Sequence, residues 1–140
     1  MSAPLSIRFD PDLLRRLRAR AATVPGATVS GLAQSLIEEG LRMGEHPGIV
    51  FKDGPAGRRA ALSFGPDVWE VAKALAEVDE RGADAVEAVV ELLDLPAAKV
   101  RVALRYYGAH PDEIDDEIAR ADEESAAAEA AWHSAQRLLA

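Results

Sequence analysis

Ser6 and Arg8 are the residues whose type and spacing best suit recognition chemistry. They alternate with Leu5, Ile7 and Phe9 in the run LSIRF. A strict period of two describes a half-buried strand, with one apolar face and one polar face. An arginine on the polar face of such a strand, presented in a groove of DNA, can bond guanine bidentately, and a serine can bond any base. Catalytic chemistry is sparse by comparison. His46, His110 and His133 are dispersed and match no metal-ligand spacing, and the chain has no cysteine. The glycines around Gly54 and Gly57 lack the lysine-serine continuation of a phosphate-cradling loop. No serine sits in a nucleophile elbow. The acid pairs Asp115-Asp116 and Glu123-Glu124 read as solvated helix surface. The expectation is a chain with no catalytic residues, no metal and no cofactor.

The elements around Arg8 follow from apolar spacing. Asp10-Pro11 suits a helix start, with the proline at the first helical position. Leu13, Leu14, Leu17 and Ala21 then repeat at helical spacing, leaving Arg15, Arg16, Arg18 and Arg20 mostly on the outer surface. Pro25-Gly26 ends this helix, and Thr28 or Ser30 caps the next, with Leu32, Ala33, Leu36, Ile37 and Leu41 as its stripe and Gly44 as its stop. One short strand and two helices cannot close a core, and a lone strand leaves a whole edge unpaired. The economical solution is a homodimer through the N-terminal strand: two strands pair antiparallel above four helices and present Ser6 and Arg8 twice. Such a ribbon fits the major groove.

This ordered set, from Leu5 to Gly44, resembles the Arc/MetJ/CopG ribbon-helix-helix family, whose members include antitoxins of the VapB type. The resemblance implies base contacts from the outward strand positions, here Pro4, Ser6 and Arg8; proline has no side-chain donor to offer there. It also implies a phosphate anchored at the start of the second helix, at Thr28, Val29 and Ser30, where free amides and the helix dipole favour an anion.

Charge is distributed unevenly. The net charge is −8, yet residues 1–37 carry five arginines against Asp10 and Asp12, while residues 112–140 carry two arginines against nine acids. A basic head and an acidic tail point to two different partners. The start of the chain lacks the apolar core of a signal peptide, and no apolar run approaches the roughly 18 residues of a membrane span, so a cytoplasmic protein with no membrane association is expected.

Between head and tail, residues 46–110 read as a small β-hairpin and helical domain. Ile49–Phe51 and Ala60–Leu62 are short apolar runs, with Lys52–Gly57 as the loop between them. Pro66-Asp67 opens a helix carrying Val68, Val71, Ala72 and Leu75. A second carries Val86, Val89, Val90 and Leu93, and after Asp94-Leu95-Pro96 a third carries Val100, Ala103, Leu104 and Tyr107. The last two suggest a helix-turn-helix. The segment resembles a family of small antitoxin-like domains in its opening His46-Pro47-Gly48, its signature Gly57-Arg58-Arg59 and its ending Ala103-Leu104-Arg105-Tyr106-Tyr107. That family travels with PIN-type ribonucleases. Arg58, Arg59, Lys99, Arg101 and Arg105 are either further DNA contacts or a solvated face. Trp69 and Tyr106 read as packing residues.

His110-Pro111-Asp112-Glu113 opens a last helix, residues 111–140, with a heptad-like seam of Ile114, Ile118, Ala121, Ser125, Ala128, Trp132, Ala135 and Leu139. It either folds back on its own domain, pairs with its dimer mate, or docks in a partner's groove. The resemblances favour the partner. Ile118, Trp132, Arg137, Leu138 and Leu139 would then bind a toxin, with Arg137 (or, second, Arg120) pairing with the metal-binding carboxylates of a PIN-type ribonuclease. The expected fold is mainly α: a ribbon-helix-helix over residues 1–45, the hairpin and helical domain over 46–110, and the acidic helix over 111–140. The expected function is a type II antitoxin that represses its own operator. The alternatives are a ribbon-helix-helix repressor without a toxin and a coiled-coil scaffold.

Overall fold

The computed structural model describes residues 2–54 and 57–140. It is mainly helical, in the order α1 (Pro11–Thr23), α2 (Val29–Glu45), β1 (Ile49–Gly54), β2 (Gly57–Leu62), α3 (Val68–Glu77), α4 (Ala83–Leu93), α5 (Ala97–Ala109) and α6 (Pro111–Leu139). The chain divides into two compact units, residues 1–42 and 43–140. No helix among the described residues is long and apolar enough to cross a membrane.

The first unit is thinly cored. Pro11 occupies the first turn of α1, and the Leu14 amide bonds the Asp10 carbonyl at 3.0 Å, so Asp10 opens the helix through its backbone rather than its side chain. Thr28, not Ser30, caps α2: its Oγ1 accepts the Gly31 amide at 2.9 Å. Gly44 does not stop that helix, which runs to Glu45. Pro47 supplies the stop, because proline pushes the residue before it out of the helical region. Only Leu17 and Ala21 of the expected α1 stripe are fully buried, while Leu13, Ile37 and Leu41 remain 47%, 50% and 58% exposed. Residues 2–10, which include the expected strand Leu5–Phe9, have no regular secondary structure in the single chain. A strand exists only against a partner edge, and a single copy of this unit offers none.

The second unit has a real core. β1 and β2 form an antiparallel hairpin whose register runs from Ile49 opposite Leu62 to Gly54 opposite Gly57. The expected loop, Lys52–Gly57, is therefore mostly strand, because pairing continues three residues past each apolar run; Pro55 and Ala56 lie outside the described residues. The inner end of the hairpin, Ile49, Ala60 and Leu62, packs on Val68 and Val71 of α3, Val89 of α4 and Val100, Ala103 and Tyr106 of α5. The α5 stripe is displaced from expectation. Tyr106 is fully buried, Tyr107 half-buried and Leu104 40% exposed. The cause is that α5 packs against β1, β2, α3, α4 and α6, so its covered face is broader than one i, i+3, i+4 line. α4 and α5 are joined by three residues, with Asp94 left-handed at φ +53°.

Asp67 binds hairpin to helices. It sits before α3 with 8% of its surface exposed, and it closes a capping box with Glu70. Its Oδ2 also accepts Arg59 Nε at 2.5 Å and Trp69 Nε1 at 3.1 Å. The Arg59 guanidinium lies so close over Gly54 that a Cβ there would come within 1.3 Å of Nη1. Asp67→Ala removes the carboxylate that accepts Arg59 Nε, Trp69 Nε1 and the Glu70 amide. We expect it to cost about 2 kcal/mol in urea unfolding followed by near-ultraviolet circular dichroism, and a cost under about 0.5 kcal/mol would rule out Asp67 as the tie between hairpin and helix.

Candidate functional site

The residues expected to bind DNA fall on two segments of the first unit. Ser6 and Arg8 lie with Pro4 on the irregular stretch before α1, and all three are exposed. Thr28, Val29 and Ser30 form the start of α2; Thr28 spends its hydroxyl on the cap, Val29 is half-buried and Ser30 is exposed. No hydrogen bond joins the two segments among the described residues. Arg16, Arg18 and Arg20 are exposed along α1, and Arg15 pairs with Asp12. In the single chain these residues, Val29 apart, are individually exposed, and apolar side chains of the stretch before α1 are uncovered too, with Leu5 82% and Ile7 52% exposed.

The residues expected to bind a partner separate along α6. Ile114 is fully buried in the core of the second unit, and Ile118 packs against that core. Lys73 of α3 bonds Asp122 at 2.5 Å, which draws the ammonium pKa above its ordinary value, chiefly through that hydrogen bond. Every residue from Asp122 onward is exposed, including Trp132, Leu138 and Leu139. Arg137 donates to Ser134 Oγ at 3.0 Å. Ile118 therefore stands apart from the other four: 14 residues of helix, about 21 Å, separate it from Trp132. Ile118 instead lines a shallow apolar groove of about 250 Å³ with Leu75, Leu104, Tyr107 and Asp115. Tyr107 donates to Asp115 at 2.9 Å, a bond that raises the phenol pKa.

Two clusters escape a reading by spacing. His46 and His110, 64 residues apart, both pack on the buried Tyr106 ring, with centroids at 5.1 and 4.7 Å. No group of three His, Cys, Asp or Glu suited to a metal occurs among the described residues. The second cluster surrounds Glu117 of α6. This side chain is only 7% exposed, and no hydrogen bond reaches its Oε2. It borders a polar cavity of about 350 Å³ with Arg59, Asp67, Trp69, Arg120 and Glu124. Burial raises its pKa from 4.5 to about 7, and the nearby Glu113 adds to the rise while Arg120 opposes it. The available signal was an acid on the seam itself, since Glu117 shares the helix face of Ile114, Ile118 and Ala121. Arg58 and Arg59, weighed as DNA contacts, are engaged within the unit: Arg58 pairs with Asp53 at 3.0 Å and Arg59 with Asp67.

A carboxyl whose pKa is raised by folding contributes most stability below its unfolded pKa and loses that contribution as pH rises through the folded value. The Glu117 contribution is thus full below about pH 4.5 and gone above about pH 7. Glu117→Gln removes this titration, so its thermal midpoint relative to the parent chain should climb between those limits and level off above them. A difference that is flat across pH 4.5–7 would show that Glu117 ionises normally.

No family model, no curated protein and no solved structure matches this chain.

Proposed function

We propose that the chain is a dimeric antitoxin that represses its own operator through the first unit and neutralises a PIN-type ribonuclease through the exposed half of α6, in the cytoplasm. The observation that carries this reading is the uncovered apolar surface of the first unit. Leu5, Ile7, Leu13, Ile37 and Leu41 are all at least 47% exposed, which is too much apolar surface for a unit with so small a core. A second copy covers it if the two Leu5–Phe9 segments pair as a ribbon, and the same pairing aligns Ser6 and Arg8 twice on the opposite face. Arg16, Arg18 and Arg20 would add phosphate attraction that weakens with salt.

The partner half rests on α6. Seventeen residues, Glu123–Leu139, extend beyond the last bond to the body and carry Trp132, Leu138 and Leu139 in the open. An amphipathic helix with aromatic and aliphatic anchors is suited to a groove. Its acids favour a basic groove, and Arg137 would meet carboxylates at the far end. That Ile118 is spent on its own unit favours, as a second reading, a repressor without a toxin.

In sedimentation the full chain should be a dimer at micromolar concentration; a monomer would defeat the ribbon. Arg8→Ala should keep the dimer and weaken binding to DNA upstream of the chain's own reading frame about a hundredfold, at about 1.4 kcal/mol for each of two contacts. Unchanged affinity would remove base reading from Arg8. Co-expressed with its neighbouring reading frame, the chain should retain a small nuclease on affinity capture, and Trp132→Ala with Leu138→Ala should release it. Operator binding with no captured nuclease would leave the second reading.

A further inference from the structure

We propose that the cavity between β2, the start of α3 and α6 is a binding site for one alkylguanidinium or alkylammonium group, held by Glu117. This inference concerns the second unit alone and does not depend on the DNA-binding or toxin-binding reading.

The argument begins with an unmet demand. Glu117 is more than nine-tenths buried, and its Oε2 has no hydrogen-bond partner among the described residues. A buried carboxyl without donors is costly to the fold and is retained most readily where something else supplies the donor. The protein's own cations around it are already directed elsewhere. Arg59 gives Nε to Asp67 and Nη1 to the Asp53 carbonyl at 3.4 Å, and Arg58 pairs with Asp53. Arg120, one turn along α6, is exposed and acts on Glu117 only through space.

The surroundings select the ligand's charge. The groups facing Glu117 are Glu113 and Arg120 from its own helix, Asp67 from the start of α3, and Arg59 from β2. Glu70, Glu124 and Arg58 also line the cavity, Arg58 being paired with Asp53. Arg59 is neutralised by Asp67, so the acids exceed the available cations. An anion would add like charge beside Glu113, Glu117 and Glu70. A cation would supply the missing donor and restore the carboxylate to its charged form. Trp69 lines the same cavity, and its N–H is committed to Asp67, so the indole offers carbon surface, on which a guanidinium stacks well. About 350 Å³ exceeds the space of a single water and suits a small ligand or one long side chain.

The test uses the full chain and the Trp69 indole resonance in proton–nitrogen NMR. n-Butylguanidinium should shift that resonance saturably, and its neutral isostere n-butylurea should not. If the cation binds only ionised Glu117, whose pKa is about 7, affinity rises about tenfold between pH 6 and pH 8. Glu117→Gln should abolish the response. Should that variant fail to fold, the urea comparison and the pH slope decide alone. An acetyl-Gly-Arg-Gly-amide peptide distinguishes the sources. Tighter binding of the peptide assigns an arginine side chain of a protein partner, and tighter binding of butylguanidinium assigns a free small molecule; both support the site. Absence of a saturable shift, an equal response to butylurea, or a response that survives in Glu117→Gln overturns the proposal.

Discussion

Asp67 is a nearly buried carboxylate shared by three claimants. The Glu70 amide in the first turn of α3, the Arg59 guanidinium from β2 and the Trp69 indole all end on it. Two charges taken out of water are tolerated only when geometry satisfies them fully, and here that condition fixes the hairpin at a set position against α3. Much follows from that junction. The hairpin's inner end is delivered to Val68, Val71 and Tyr106, so the core closes from its side. The ion pair also forms one wall of the Glu117 cavity, whose other wall is α6. Arg59 could not serve unless Gly54 left room for it. The Gly-Arg-Arg stretch that reads as a recognition signature is thus, at its second arginine, a fastening.

The two units obey opposite rules. The second closes a core of its own, and among its described buried side-chain polar atoms only Glu117 Oε2 lacks a partner, although Phe64 and Leu92 stay exposed. The first leaves large apolar side chains uncovered and a period-two segment without a sheet. In a marginally stable chain, exposure on that scale is a cost, and association is one way to offset it. α6 belongs to both regimes, since its first three turns complete the core while the rest reaches into solvent.

Helical periodicity was the strongest legible signal. α1 through α5 lie where three- and four-residue spacing of Leu, Val and Ala places them, and Pro11, Pro66-Asp67 and Pro96 mark their starts. Legibility failed where contacts are many-sided or distant in sequence. Spacing picks Tyr107 over Tyr106 because it assumes one covered line, whereas α5 is enclosed on several sides. It ends β1 at Phe51 because backbone pairing beyond the apolar residues leaves no hydrophobic trace. It cannot join His46 to His110 across 64 residues, nor Arg59 to Asp67, since neither pair has a local pattern. Gly44 misleads for another reason: a glycine in a helix interior costs stability, about 1 kcal/mol, but does not oblige the helix to end. The alternation at Leu5–Phe9 is readable as a strand, but the single chain gives that segment no edge to pair with, and it has no regular secondary structure there.

The far half of α6 also bears on how long the molecule survives. An alanine-rich helix of this length is marginal in water without tertiary cover. Its backbone bonds open at far lower free energy than those of the core, and a protease acts on whatever opens. A ligand that covers the helix lowers the open population by mass action. If a partner covers this half of the helix, turnover of the chain reports occupancy: an uncovered copy is clipped there first, while a covered copy persists.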